Sequence, residues 1–222
     1  MNSNKQGFIR KHGLGPALVH AWSMLARSVS TTFHSFFFRL RLRLLGCSYG
    51  SGTKADGRVF ISCLRRGTIV IGRNFMINSA FRSNLVGITN NAVFQALDGG
   101  RILIGDNCGF TSTVISSRSE IRIGNHVTIG ANVRIFDHDF HSLDPEDRRE
   151  RAKDAAGCRT QPVRIGNDVF IGTNAMILRG VSIGDRSIIG AGAVVRIAEI
   201  PPDSIVTGNP ATIVSKRRNS DL

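Results

Sequence analysis

The sequence predicts an all-β solenoid, a parallel β-helix of six-residue units, and three observations predict it. From Ile165 the chain reads IGNDVF, IGTNAM, ILRGVS, IGDRSI and IGAGAV without interruption, and Val195 follows in register. Upstream, Ile71, Ile104 and Ile123 each open another Ile-Gly unit, with Ile77, Phe110 and Ile129 six residues on. Six is the period of neither an isolated helix nor an isolated strand, so it belongs to the fold, as in β-helix solenoids.

The chain has 222 residues and a net charge of +13, and it divides into an N-terminal segment, a solenoid and a short tail. Residues 1–56 are strongly basic. Lys5, Arg10, Lys11, Arg27, Arg39, Arg41, Arg43 and Lys54 all precede the first acidic residue, Asp56. Within this segment FHSFFFRLRLRLLG interleaves Phe33, Phe36, Phe37 and Phe38 with leucines and three arginines. Two readings are open for residues 33–45: an amphipathic anchor on an anionic membrane surface, or a helix that caps the first coil or forms an oligomer contact with its arginines in solvent. Nucleic acid is not an expected partner, because the chain has one Trp, one Tyr and no nucleic-acid motif.

The solenoid is expected over 57–214. Each hexad Ile or Val points into a narrow prism, and the following Gly sits near a corner, where its backbone freedom is useful. Asn167, Asn174 and Asp185, close behind a Gly, are residues that accept left-handed φ. The nineteen-residue step from Ile104 to Ile123 is one coil plus one residue and predicts a bulged corner near Ser116–Ser119. The thirty-residue step from Ile135 to Ile165 is too long for a coil. Its polar, charged content predicts a loop over 137–161, and long loops on rigid scaffolds carry function. Residues 215–222 are a basic tail. The N-terminal segment and the tail are the natural covers for the open prism ends.

Cys47, Cys63, Cys108 and Cys158 form no CxxC and no paired spacing, which argues against a disulfide framework or a zinc site and for a reducing compartment. No stretch of 18 apolar residues exists and no signal-peptide pattern opens the chain. The expected location is cytoplasmic, peripheral on the inner face of the cytoplasmic membrane if the anchor reading holds.

The loop sequence DHDFHSLDPEDRR, the coils VRIGNDVFIGTNAMILRGVSIGDRSIIGAGAVV and the closing IPPDSIVTGNPATIV resemble the hexapeptide-repeat acyltransferases, and within them the saccharide O-acetyltransferases acting on galactosides, maltose, nodulation factors and surface polysaccharides. The resemblance implies a left-handed β-helix, a homotrimer with its sites between prisms, acetyl-CoA as co-substrate, and a saccharide or lipid-linked saccharide as acceptor in surface polysaccharide biosynthesis. It places the general base at His141, directly before Ser142-Leu143-Asp144-Pro145. A His with a near-neutral pKa suits removal of a hydroxyl proton. Asp139, two residues earlier, is the candidate to orient the imidazole; His138 either shapes the pocket or is a bystander, and His126 is a structural coil residue. The acids from Asp144 to Glu150 interleave with arginines and read as an exposed salt-bridged loop.

The same resemblance assigns Thr173 to the oxyanion, and the CoA groove to Gly172, Gly190, Ala191, Gly192 and the closing turn at Gly208, Asn209 and Pro210. Small residues allow a thin pantetheine arm to lie against the backbone. A Lys that relatives carry before the Pro pair is missing; Arg196, or Lys216, Arg217 and Arg218, would replace its charge. The acceptor-side Asn of the sugar enzymes is replaced by Thr111, beside Ser112. No metal is expected. Competing readings are N-acetylation of a nucleotide-linked amino sugar and a non-catalytic scaffold. Zinc-dependent carbonic anhydrase chemistry is disfavoured, since His126, His138 and His141 fall on one coil and its loop.

Overall fold

The computed structural model describes residues 13–63, 65 and 68–216. Lys5, Arg10, Lys11, Arg217 and Arg218 lie outside the described residues. The fold is a left-handed parallel β-helix with three sheets as prism faces. The first face stacks β1 (Ser48–Tyr49), β4 (Ile69–Ile71), β7 (Arg101–Ile104), β10 (Glu120–Ile123), β13 (Val163–Ile165), β16 (Ser182–Ile183) and β19 (Glu199–Ile200). The second stacks β2 (Lys54–Asp56), β5 (Met76–Asn78), β8 (Gly109–Thr111), β11 (Thr128–Ala131), β14 (Phe170–Ile171), β17 (Ile188–Ile189) and β20 (Ser204–Gly208). The third stacks β3 (Val59–Cys63), β6 (Ala92–Ala96), β9 (Val114–Ser117), β12 (Arg134–Phe136), β15 (Met176–Ile177) and β18 (Val194–Val195). The coils begin at Ser48, upstream of the expected boundary at Gly57, because β1 and β2 already pair with β4 and β5.

The hexad residues stack in register. Ile71, Ile104, Ile123, Ile165 and Ile183 form one column, and Ile77, Phe110, Ile129, Ile171 and Ile189 another. All are buried, together with the residues two positions earlier, such as Ile102, Ile121, Val127 and Val169. Each strand thus sends alternate side chains inward, and the prism is filled from both positions.

The corner chemistry differs from the expectation in two respects. Gly72, Gly105, Gly124 and Gly166 are not left-handed. They are small because the next coil lies against them: a Cβ on Gly124 would sit 2.6 Å from the Gly166 carbonyl oxygen. Left-handed φ falls at Asn174 as expected, but at Asp168 and Arg186 rather than Asn167 and Asp185. Asn167 and Asp185 instead accept backbone N–H groups from the neighbouring coil. Asn125 N–H donates to Asn167 Oδ1 at 2.9 Å, and Asn167 N–H to Asp185 Oδ1 at 2.7 Å. They tie coil to coil, satisfying amides that the strand ladders leave free at the corner.

Both prism ends are covered. Helix α1 (Leu14–Leu44) lies across β2. Ser35 Oγ accepts from Ala55 N–H at 3.0 Å, Arg39 donates to the Thr53 carbonyl at 3.2 Å, and Phe38 packs between Phe75 and Phe94. At the other end β20 turns back antiparallel into β21 (Ala211–Lys216). The capping reading of the N-terminal segment therefore describes one face of α1, and only that face.

Among the described residues, two excursions leave the prism. Residues 137–161 leave between β12 and β13, as the thirty-residue step requires, and contain a 3-10 turn (Asp147–Arg149) and helix α2 (Arg151–Gly157). The neck of this loop is closed by an antiparallel bridge between His138 and Thr160. The second excursion, residues 79–91, leaves between β5 and β6 at the corner of the second and third faces.

Candidate active site

His141 stands on a turn that its neighbours enforce. Phe140 adopts left-handed φ of 66°, held by an edge contact with Phe136 (4.9 Å between centroids) and by the His138 ring at 4.3 Å. His141 N–H then donates to the Asp139 carbonyl two residues back, at 2.8 Å. A bulky residue at positive φ is costly, and this one throws the His141 side chain outward, where it is 69% exposed.

Beneath the turn lies a buried polar base. The Asp137 carboxylate is fully buried and accepts from Ser117 Oγ (2.6 Å), Arg118 N–H (2.8 Å) and Ser119 N–H (2.9 Å). These groups come from the lengthened corner at Ser116–Ser119. Burial pushes the Asp137 carboxyl up, but the hydrogen bonds from His138, Ser117, Arg118 and Ser119 outweigh it and hold the group below its ordinary value. His138 is buried as well, with Nδ1 3.2 Å from Asp137 Oδ1. It underpins the Phe140 turn.

The carboxylate that faces His141 is Asp154, not Asp139. Asp154 on α2 brings Oδ2 to 2.7 Å from His141 Nδ1, while its Oδ1 accepts the Ser142 N–H at 2.8 Å. Asp139 is turned away and paired with Arg179 Nε at 2.6 Å; the same guanidinium donates to Gln161 Oε1 at 2.7 Å. That network fastens the loop's neck to the next coil. The hydrogen bond from His141, then the one from Ser142, holds the Asp154 carboxyl below its ordinary value. An ionised carboxylate only accepts, so a neutral imidazole in this contact carries its proton on Nδ1 and presents its Nε2 lone pair outward. An imidazole held in this way can accept a proton at Nε2.

The 3-10 turn and helix α2 are clamped onto this turn. Ser142 Oγ donates to Asp147 at 2.8 Å, and Arg148 donates to the Ser142 carbonyl at 2.8 Å. Gly157 passes so close that a Cβ there would lie 2.5 Å from Ser142 Oγ. Glu146–Arg149 and Glu150–Lys153 are exposed surface pairs. Sequence proximity could not find Asp154, thirteen residues on, because α2 folds it back; the short helical run RAKDAAG was the available signal.

The remaining candidates gather at another corner, across the third face. Thr173, Gly190, Ala191, Gly192, Asn209 and Pro210 line the junction of the second and third faces in successive coils. Ala191, Gly192, Asn209 and Pro210 are exposed, and a Cβ on Gly192 would meet nothing within 4 Å, so this surface is open. Gly172 is buried, with a Cβ position 2.5 Å from the Ala191 nitrogen, so the next coil stacks directly against it. Arg196 lies on the His141 corner, between β18 and β19. Lys216 ends β21.

Thr111 and Ser112 share the open corner but are covered. The 79–91 excursion closes over them: Asn84 Nδ2 donates to Thr111 Oγ1 at 3.3 Å and Asn90 Nδ2 to the Ser112 carbonyl at 3.0 Å. A ligand arriving there meets the excursion first, so direct contact with Thr111 or Ser112 does not occur in this conformation. The signal for the excursion was the seventeen-residue step from Ile77 to Phe94 where six is the norm. His126 is a left-handed corner residue with its Nε2 3.4 Å from Asn107 Nδ2, and no group of three His, Cys, Asp or Glu among the described residues is placed to hold a metal ion.

Comparison with known proteins places these features. Residues 162–196 match the family model described as bacterial transferase hexapeptide (six repeats). The chain is 30% identical over 154 residues to a provisionally named lipopolysaccharide biosynthesis O-acetyl transferase, WbbJ, of Escherichia coli (strain K12), covering 68% of this chain and 72% of that one. It is 32% identical over 152 residues to a galactoside O-acetyltransferase of Lactococcus lactis, covering 68% and 65%. Across three curated relatives the chain spans 55%, 60% and 65% of their length. Among solved structures, a hexapeptide-repeat acetyltransferase of Vibrio cholerae complexed with acetyl-CoA superposes with a TM-score of 0.51 at 28% identity, over 80% of this chain and 75% of that one.

Proposed function

The chain belongs to the hexapeptide-repeat acetyltransferase family, and from that premise we propose that it transfers an acetyl group from acetyl-CoA to a hydroxyl of a saccharide. The observation that carries the reading is the His141–Asp154 pair, a base with a free Nε2 raised on a loop from a hexapeptide solenoid. The acceptor class follows relatives named for galactosides and lipopolysaccharide, and a surface polysaccharide is the corresponding product.

In this reading His141 Nε2 takes the hydroxyl proton as the acceptor oxygen attacks the thioester carbonyl, and Asp154 stabilises the imidazolium that forms. Thr173 donates a hydrogen bond to the oxyanion that develops. Protonated His141 then returns the proton to the departing CoA sulfur. Acetyl-CoA supplies an already activated thioester, so no covalent enzyme intermediate is required. The open corner at Ala191, Gly192 and Asn209–Pro210 receives the pantetheine arm, and Arg196 or Lys216 meets its phosphates.

One chain holds the base and the open corner on opposite edges of its third face, so the reaction needs two chains. A homotrimer, with His141 of one chain facing the open corner of the next, joins them. The test is transfer from radiolabelled acetyl-CoA to a panel of galactosides and polysaccharide fragments. The reading predicts labelled ester with the native protein and none with His141→Ala; label transfer that survives His141→Ala would overturn it.

A further inference from the structure

Helix α1 has two apolar faces, and the prism uses one. Ser35, Phe38 and Leu42 are buried on the first coil. Leu18, Trp22, Leu25, Val29, Phe36 and Leu40 are exposed, from 38% at Leu40 to 73% at Trp22. At about 100° per residue these six fall within roughly 60° of arc, turned about 140° from the docked residues. The stripe runs nearly the length of the helix, about 46 Å at 1.5 Å per residue. Residues 18–29 lie before the docked segment and are all exposed; Arg27 reaches Asp56 of β2 at 3.3 Å, but capping the prism does not account for the apolar residues among them.

The charge around the stripe is of one sign. Arg27, Arg39, Arg41 and Arg43 belong to the helix, where Arg39 donates to the Thr53 carbonyl and Arg43 lies over the Tyr49 ring, and no acidic residue precedes Asp56 in the sequence. Asp56 itself is buried against Ser30 and Arg27. The apolar surface continues onto the 79–91 excursion, where Phe81 is 67%, Leu85 78% and Val86 58% exposed, and Arg82 ties the two together by donating to Ser30 Oγ at 2.5 Å. No helix among the described residues is long and apolar enough to cross a membrane. A long apolar stripe on a helix that carries arginines and no carboxylate fits an anionic bilayer interface. Packing against a second copy of α1 would bring like charges together.

We propose that α1 lies in the interface of an anionic membrane, with its Leu18–Leu40 stripe in the acyl boundary and the helix's net positive charge drawing it to the headgroups. The docked prism then hangs beneath, and the 79–91 excursion that covers Thr111 and Ser112 meets the lipid surface. If the transferase reading also holds, that orientation suits an acceptor carried on a lipid. The docking itself does not depend on that reading.

Trp22 is the chain's only Trp and sits in the stripe, so it reports directly. The full chain is titrated with vesicles of phosphatidylglycerol and phosphatidylcholine, and separately with phosphatidylcholine alone, while Trp22 emission and co-sedimentation are followed. Docking predicts a blue shift with anionic vesicles, binding at least about tenfold tighter than to neutral ones, weakening with salt. Leu25→Glu with Val29→Glu is predicted to lower vesicle affinity by about tenfold or more with an unchanged melting temperature. Anionic vesicles that shift neither emission nor sedimentation overturn the proposal. So does an emission already blue in lipid-free protein that reddens on dilution, because a second copy then covers the stripe.

Discussion

Asp154→Asn separates orientation of the base from its presence. The amide keeps an oxygen for the Ser142 N–H, now at 2.8 Å from Oδ1, but turns an NH₂ group toward His141 Nδ1, now 2.7 Å from Oδ2. A donor facing Nδ1 favours the tautomer with its proton on Nε2, which has no lone pair for the acceptor hydroxyl. Where such a His is enclosed, the change costs up to about ten-thousand-fold in kcat. His141 is 69% exposed, and water can compete for Nδ1. The expected loss is therefore about a hundredfold, with acetyl-CoA affinity and melting temperature close to native because the pair lies at the surface. The assay is CoA formation by chromatography with the best acceptor found, for native protein, Asp154→Asn and His141→Ala. A native kcat in Asp154→Asn alongside an inactive His141→Ala would refute the orienting role.

Two further predictions concern the scaffold. Gly124→Ala places a Cβ 2.6 Å from the Gly166 oxygen of the next coil; overpacking of about 1–3 kcal/mol lowers the melting temperature by roughly 2–12 °C. Gly109→Ala, with nothing within 4 Å, leaves it within about 3 °C, and equal melting of the two variants would contradict stacking as the reason for Gly124. The Asp137 carboxyl is depressed in the folded state, so its stabilisation is complete above its unfolded value near 3.8 and is lost as pH falls through the folded value. Asp137→Asn is thus expected to melt well below native at neutral pH and to converge on it in acid; a gap that widens in acid would contradict the assignment.

The coils were legible because a six-residue Ile column has no other use, and Ile165 to Val195 announced them without help from tertiary context. The second buried column, Ile102, Ile121 and Val127 among others, was less visible because Cys108, Thr113 and Ser187 occupy it in some coils. The corner glycines were found for the wrong reason. Their φ is ordinary, and the constraint is the adjacent coil, which sequence does not display. At the site, the motif around His141 was readable and its partner was not. Asp139 is nearer in sequence, but Arg179, forty residues on, takes its charge, while α2 returns Asp154 to the imidazole. The cap and anchor readings of residues 33–45 looked like alternatives. Phe38 and Leu42 serve the first on one face of α1; Phe36 and Leu40 are free on the other.

Calorimetric titration of the oligomeric protein with acetyl-CoA, beside CoA, tests the transferase account most directly. The account predicts micromolar binding near one site per chain for acetyl-CoA, weakened when Gly192 at the open corner is replaced by a bulky residue. A folded, oligomeric protein that binds neither acetyl-CoA nor CoA would contradict it.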